Sequence, residues 1–284
     1  MSDVHDVLNW AQGALKKPHT EARFEAELLL SHVLLKNRAW LFAHPEYVLN
    51  DIQQQHYQKL IQQRAQGHPI AYLTGEREFW SLTLQVNTYT LIPRHETERL
   101  VELTLELLPN EPNLRVLDLG TGSGAIALAL ASERPSWRIS ACDCSKEALE
   151  TARHNAARLS INSVEFYHSD WFSNLPQQSY HAIIANPPYI AASDPHLTQG
   201  DLRFEPRSAL VSEDNGLADL DSIITQSYQQ LLPDGLLLLE HGYDQKIPIR
   251  AILNKLGYRN ARCWQDSAGH DRVSGAWKNG YTLA

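Results

Sequence analysis

The 284-residue chain carries 25 Lys+Arg against 33 Asp+Glu, a formal net charge of −8, and 43% of its residues are hydrophobic. That balance excludes a surface built mainly to wrap nucleic-acid phosphates, and the apolar share is that of a globular protein with a real core. Cys142, Cys144 and Cys263 are too few for a disulfide framework and lack zinc-ligand spacing. The opening "MSDVHDVLNW" is acidic where a secretory signal is basic and then apolar, and no run approaches the ~18 apolar residues of a membrane span. The expectation is a cytoplasmic protein with no membrane partner.

In chain order, residues 1–75 read as short helices packing on one another, forming an N-terminal domain. Val4, Leu8, Ala11 and Leu15 recur at helical spacing before Pro18, and "TEARFEAELLLSHVLL" opens with Thr20 as N-cap. A further helix starts at Asp51 as N-cap, places Ile52, Leu60 and Ile61 near one face, and stops at Gly67. Seven Lys+Arg balance seven Asp+Glu over this stretch, so it is no basic nucleic-acid clamp. It carries no chemistry of its own, and substrate docking is the expected role.

Residues 76–92 change period. Trp80, Leu82, Leu84 and Val86 alternate with Ser81, Thr83 and Gln85, and "VNTYT" reads as the turn into a second short strand of a β-hairpin linker. Residues 93–284 form the third region: a helix, then short apolar strands alternating with amphipathic helices. This pattern predicts an α/β domain with a doubly wound, mostly parallel sheet. The closing stretches "YRNARCW" and "VSGAWK" have no helix between them and are expected to pair antiparallel at one edge.

Three strand ends carry the chemistry. "DLGTGSGA" (118–125) follows the first core strand and opens a helix, so its glycines allow a tight turn and close approach of a ligand. Gly120-x-Gly122-x-x-Ala125 also fits the dinucleotide fingerprint. Asp118 separates the two readings: beside the turn it would repel a pyrophosphate, whereas it suits the ammonium of an amino acid near a sulfonium, which favours S-adenosylmethionine. Asp143, ending the second strand, is placed to accept hydrogen bonds from vicinal ribose hydroxyls, with Ser145 available to cap the following helix. Asp170 and Trp171 after the third strand offer a polar group and a ring to an adenine edge and face.

The fourth strand ends in "AIIANPPYI". Proline has no N–H and a fixed φ, so Asn186-Pro187-Pro188 is a stiff turn that presents acceptors and almost no donors. Such a turn suits a planar nitrogen whose two N–H groups are gripped by the Asn186 side-chain oxygen and the Pro187 carbonyl, while Tyr189 stacks on the planar group. Catalysis would then rest on positioning more than on a general base.

"DLGTGSGAIA" with "NPPY" resembles the class I S-adenosylmethionine-dependent methyltransferases that modify planar nitrogens. "AYLTGEREFW", "IPRHETE", "RFEPRSAL" and "LLLEHGYDQ" are similar to the HemK/PrmC family of peptide chain release factor glutamine N5-methyltransferases. The resemblance implies methyl transfer to the glutamine of the Gly-Gly-Gln motif of release factors. It implies that Gly120, Thr121, Gly122, Ser123 and Gly124 line the methionine part of the cofactor, that Asp143 takes the ribose and Trp171 borders the adenine, and that Asn186, Pro187, Pro188 and Tyr189 hold the glutamine. Asn186 and Pro187 would be catalytic, with Asn186 also bordering the cofactor. Arg94, Glu98, Glu205 and Arg207 either shape the substrate mouth or form surface ion pairs. His95 departs from the family pattern, which carries Pro after that Arg. A ribosomal-protein glutamine and an exocyclic amine of DNA or RNA stand as alternative substrates, and a monomer with no bound metal and no direct nucleic-acid binding is the expectation.

Overall fold

The computed structural model describes residues 2–15 and 21–279, which divide into two compact units, Met1–Glu76 with Gln199–Phe204, and Arg77–Thr198 with Glu205–Ala284. In the first unit, five helices (Val4–Ala14, Ala22–Leu34, Arg38–Ala43, Asp51–Ala65, Ile70–Thr74) enclose their own apolar core. Val4, Leu8, Ala11 and Leu15 are all buried in it, as their spacing requires. The proposed Thr20 cap lies outside the described residues. In the fourth helix the cap is Asn50, one residue before Asp51: its side chain accepts from the Gln53 N–H while Gln53 reaches back to the Asn50 N–H. Ile52 is 81% exposed, and Tyr57 joins Leu60 and Ile61 in the core instead. At ~100° per residue, Ile52 lies roughly 180° around the helix from Ile61, so both cannot face inward.

Segment 199–204 belongs to this unit although it lies between two parts of the other. Arg64 pairs with Glu25 at 2.6 Å and with Asp201 at 3.4 Å, Arg203 donates to the Gln66 carbonyl at 3.3 Å, and the rings of His68 and Phe204 stand 4.4 Å apart. Nothing in the sequence periodicity signals this return, because it depends on contacts more than a hundred residues apart.

The second unit, from Arg77 on, begins within a hairpin of β1 (Glu76–Phe79) and β2 (Leu82–Gln85). Its turn is Trp80-Ser81, not the expected "VNTYT". Both turn residues have positive φ, 52° and 60°, a conformation more usual for Asn-Gly. The turn is held by the Trp80 N–H on Glu98 Oε1 at 2.8 Å and the Trp80 indole N–H on Glu133 at 2.8 Å. Phe79 and Leu84 are buried in the main core.

The central sheet uses β3 (Arg115–Leu119), β4 (Arg138–Asp143), β5 (Val164–His168) and β6 (Tyr180–Ala185). Two short strands, β7 (Ile190–Ala191) and β8 (Val211–Ser212), pair apart from it, and β9 (Leu231–Glu240), β10 (Arg259–Gln265) and β11 (Asp271–Trp277) complete it. The order is β10-β11-β9-β6-β3-β4-β5, with β3, β4, β5, β6 and β9 parallel. The chain steps outward from β3 to β5, then returns to place β6 on the other side of β3. That switch point opens a crevice at the carboxyl ends of the strands. The last two strands pair antiparallel as expected, but β11, one strand in from the edge, is the one that runs against its neighbours, and β10 forms the edge.

Asn155, fully buried on the helix Lys146–Arg158, ties this frame together. It accepts from the Gln85 N–H at 2.7 Å and donates to the carbonyls of Gln85 and Ser123, both at 2.9 Å, joining the hairpin to the glycine-rich turn. Replacing Asn155 with Ala leaves the N–H and carbonyl of half-buried Gln85 and the carbonyl of buried Ser123 without that partner. We expect a loss of about 2–4 kcal/mol in stability, read as a lower urea midpoint with the slope unchanged; an unmoved midpoint would contradict this role.

Candidate active site

The crevice is a cleft with about 1090 Å³ of open space, its solvent-facing mouth included, lined by residues of the second unit only. One wall is the turn after β3. Gly120, Gly122 and Gly124 all have positive φ, which side chains resist, and the N–H groups of Gly120 and Thr121 both donate to the Cys142 carbonyl at 2.9 Å. Gly120, Thr121, Gly122 and Ser123 line the cleft, whereas Gly124 does not. A Cβ on Gly124 would meet Leu128 at 3.0 Å and Ala152 at 3.3 Å, so this glycine serves helix packing.

Asp118 is corrected by the structure. It is fully buried, lies outside the cleft lining, and braces the turn by accepting from Thr121 Oγ1 at 2.6 Å and the Ala127 N–H at 3.2 Å. Both bonds fall on Oδ2, Oδ1 is buried without a partner among the described residues, and the side chain sits under the turn rather than on the cleft surface where the ammonium contact was expected. Burial pushes its carboxyl up to about 7.

Asp143 does line the cleft, at the end of β4. Its Oδ2 accepts from the Gly122 N–H at 2.8 Å and its Oδ1 from the Ser145 N–H at 2.9 Å, while Ser145 itself caps the next helix. Burial raises its pKa against these N–H bonds, and each oxygen keeps acceptor capacity for one of two vicinal hydroxyls. Trp171 stands over Gly120, its ring 3.4 Å from where a Cβ would be, and donates its indole N–H to Asp219 at 3.2 Å. Its backbone sits at φ 44°, held by donation to its carbonyl from Ser169 Oγ at 2.8 Å and the Cys142 thiol at 3.5 Å. Asp219 was not legible in the sequence, because it comes from a helix some fifty residues downstream.

Across the cleft, Asn186 and Pro188 line the surface at the end of β6, while Pro187 is buried. Asn186 Nδ2 donates to Thr97 Oγ1 at 3.1 Å, and Thr97 donates to the buried Glu240 at 2.7 Å. Tyr189 packs against the second core cluster and donates its hydroxyl to the other Glu240 oxygen at 3.2 Å. Burial pushes the Glu240 carboxyl up to about 7, opposed by these two hydroxyls and by the Arg272 charge.

Of the four residues expected either at the substrate mouth or in surface ion pairs, Arg94 lines the cleft and pairs with buried Glu205, which also accepts from the Ile92 N–H at 3.0 Å. Glu98 holds the hairpin turn, and Arg207 is exposed. His95 is exposed with Nδ1 3.7 Å from Glu98, so the departure from Pro leaves the Arg94–Glu205 pair in place. Thr97, Tyr89, Thr90, Ser208 and Ala209 line the cleft without having been singled out; Thr97 lay within the quoted "IPRHETE", but its role needed the geometry.

The switch-point cleft, the glycine turn and the acidic end of β4 make a site for a ribose-bearing cofactor, and the family matches identify the chain as an S-adenosylmethionine-dependent methyltransferase. The fold is similar to that of a methyltransferase from Pyrococcus furiosus, with a TM-score of 0.53 at 19% identity over 70% of this chain and 90% of that one. The PrmC N-terminal domain matches residues 6–75, and the methyltransferase small domain matches residues 95–202. The release factor glutamine methyltransferase of Shewanella oneidensis is 47% identical over 97% of this chain and 96% of its own length; that of Escherichia coli is 49% identical over 89% and 91%. The chain belongs to the release factor glutamine methyltransferase family.

Replacing Asp143 with Ala removes both acceptor oxygens. We expect S-adenosylmethionine binding, measured by calorimetry, to weaken about 10–150-fold, or ~1.5–3 kcal/mol. Unchanged affinity with unchanged helix content would reassign Asp143 to holding the turn alone.

Proposed function

We propose that this enzyme transfers a methyl group from S-adenosylmethionine to the side-chain amide nitrogen of the glutamine in the Gly-Gly-Gln motif of peptide chain release factors. The observation that carries the reading is Asn186: its amide nitrogen is committed to Thr97, so its oxygen is left as the acceptor on a cleft wall facing the glycine turn. The residues fit the cofactor. Gly120 to Ser123 leave room for its methionine part, Asp143 meets the ribose and Trp171 the adenine. When bound, S-adenosylmethionine supplies an electrophilic methyl group on a sulfonium.

An amide nitrogen is a poor nucleophile because its lone pair is delocalised into the carbonyl. Asn186 Oδ1 and the Pro187 carbonyl take its two N–H groups and hold the lone-pair face toward the methyl, and the prolines keep that pair from moving. Tyr189, expected to stack on the amide, instead packs against the second core cluster outside the cleft lining, and with its hydroxyl tethered to Glu240 it braces the Asn-Pro-Pro turn in this reading. An exocyclic base nitrogen would satisfy the same acceptors, but residues 1–75 are charge-neutral and the chain is acidic overall, which favours a protein substrate. No helix among the described residues is long and apolar enough to cross a membrane. The reading places a monomeric enzyme in the cytoplasm.

The acceptor pair grips any glutamine amide, so selection among glutamines needs contacts elsewhere. The first unit offers an exposed cluster in which the Arg38 guanidinium lies 4.5 Å from the Phe24 ring and 5.9 Å from the Phe42 ring, with Phe42 63% exposed. We assign it to docking of the release factor.

Replacing Asn186 with Ala removes one positioned acceptor, and turnover is expected to fall about 10²–10³-fold while S-adenosylmethionine affinity stays near that of the parent. Wild-type turnover in this variant would remove the acceptor reading. Replacing Phe42 with Ala is expected to lower kcat/KM on intact release factor about 5–30-fold through KM, leaving activity on a short Gly-Gly-Gln peptide unchanged. Equal effects on both substrates would argue against docking.

A further inference from the structure

The parallel register of β6 and β9 pairs Ala185 with Leu239, so Asn186, the first residue past β6, stands beside Glu240, the last residue of β9. Thr97, at the end of the short 3-10 turn His95–Thr97, bridges them. The distances are 3.1 Å from Asn186 Nδ2 to Thr97 Oγ1 and 2.7 Å from Thr97 Oγ1 to Glu240 Oε2. Thr97 is 4% exposed and Glu240 1%.

From this chain we infer that Thr97 is a positioning residue which, oriented by Glu240, fixes the sense of the Asn186 amide so that its oxygen, and not its nitrogen, faces the substrate. The inference rests on the acceptor role of Asn186 proposed above. The two ends of an Asn amide have nearly the same shape, so shape alone does not choose between them. Hydrogen-bond polarity does. In this geometry the Thr97 and Tyr189 hydroxyls both donate to Glu240, the arrangement of its ionised form, which only accepts and which these two hydroxyls and the Arg272 charge favour against burial. A hydroxyl has one proton. With that proton on Glu240, Thr97 Oγ1 presents only lone pairs to Asn186 and can be met only by Nδ2–H. Turning the amide over would set two acceptors face to face in a buried position and aim a donor at a substrate nitrogen that itself carries N–H groups. Either contact costs a lost hydrogen bond or more. Thr97 touches neither substrate nor cofactor in this account; it acts through Asn186.

The test is a mutant cycle at Thr97 and Asn186 on the full-length enzyme, with intact release factor as substrate and S-adenosylmethionine affinity measured alongside. Thr97→Val keeps the shape and removes the oxygen. We expect kcat to fall about 10–100-fold with cofactor affinity and KM little changed. Thr97→Ser restores the hydroxyl and should return kcat to within about threefold of the parent. In the double variant with Asn186→Ala, kcat should fall no further than in Asn186→Ala alone, because the two residues act as one unit.

If Asn186→Ala keeps full turnover, the acceptor reading itself fails. If Asn186→Ala loses turnover while Thr97→Val stays within twofold of the parent, that reading stands and the positioning role is overturned. A double variant that falls by the product of the two single losses also overturns it, since Thr97 would then act elsewhere. Should the valine variant not fold, Thr97→Ala removes the same oxygen and is judged by the same outcomes.

Discussion

A delocalised amide lone pair attacks a methyl group only while the nitrogen is held in one orientation by acceptors that do not move. In the proposed function the end of β6 supplies those acceptors, and much of the second unit would keep them still. The two prolines remove backbone freedom directly after Asn186. Glu240, at the end of the neighbouring strand, takes hydroxyls from Thr97 and Tyr189, so three segments far apart in the chain converge on one buried carboxylate. Burying that carboxylate is costly unless its lone pairs are used, and the two hydroxyls use them.

The opposite wall is held by the same kind of economy. Asp118 is spent on the inside of the glycine turn, where it bonds Thr121 and Ala127, while Asp143 stays at the surface of the cleft with acceptor capacity to spare. Two carboxylates one strand apart thus serve different ends, one shaping the turn and one lining the cleft. Asn155 links that turn to the hairpin, and Glu98 and Glu133 hold the hairpin's unusual Trp-Ser turn. The cofactor wall and the hairpin are therefore parts of one hydrogen-bonded frame.

Much of this was legible in the sequence because it depends on local periodicity and strand-end chemistry. The parallel sheet, the glycine turn, Asp143 and the Asn-Pro-Pro turn all announce themselves within short windows. What was missed is non-local or one residue out. Asn50 displaced Asp51 as a cap because a neighbouring Asn with Gln53 closes a capping box. The hairpin turn was displaced because Trp-Ser carries no turn signal and is stabilised by side chains from distant helices. Asp118 was placed in the cleft because a strand-end carboxylate looks the same in sequence whether it points out or in. Thr97, Asp219 and segment 199–204 gain their meaning from partners that only the fold brings near.

The function proposed for this cleft is methylation of a glutamine amide on a protein. The measurement that bears on it most directly is incubation with methyl-labelled S-adenosylmethionine and a mixture of release factor, ribosomal protein, RNA and DNA, followed by separation and location of the label by peptide mass. Label is expected on release factor alone, on the side-chain nitrogen of the Gly-Gly-Gln glutamine. Label on nucleic acid, on a ribosomal-protein glutamine, or at another release-factor residue would contradict it.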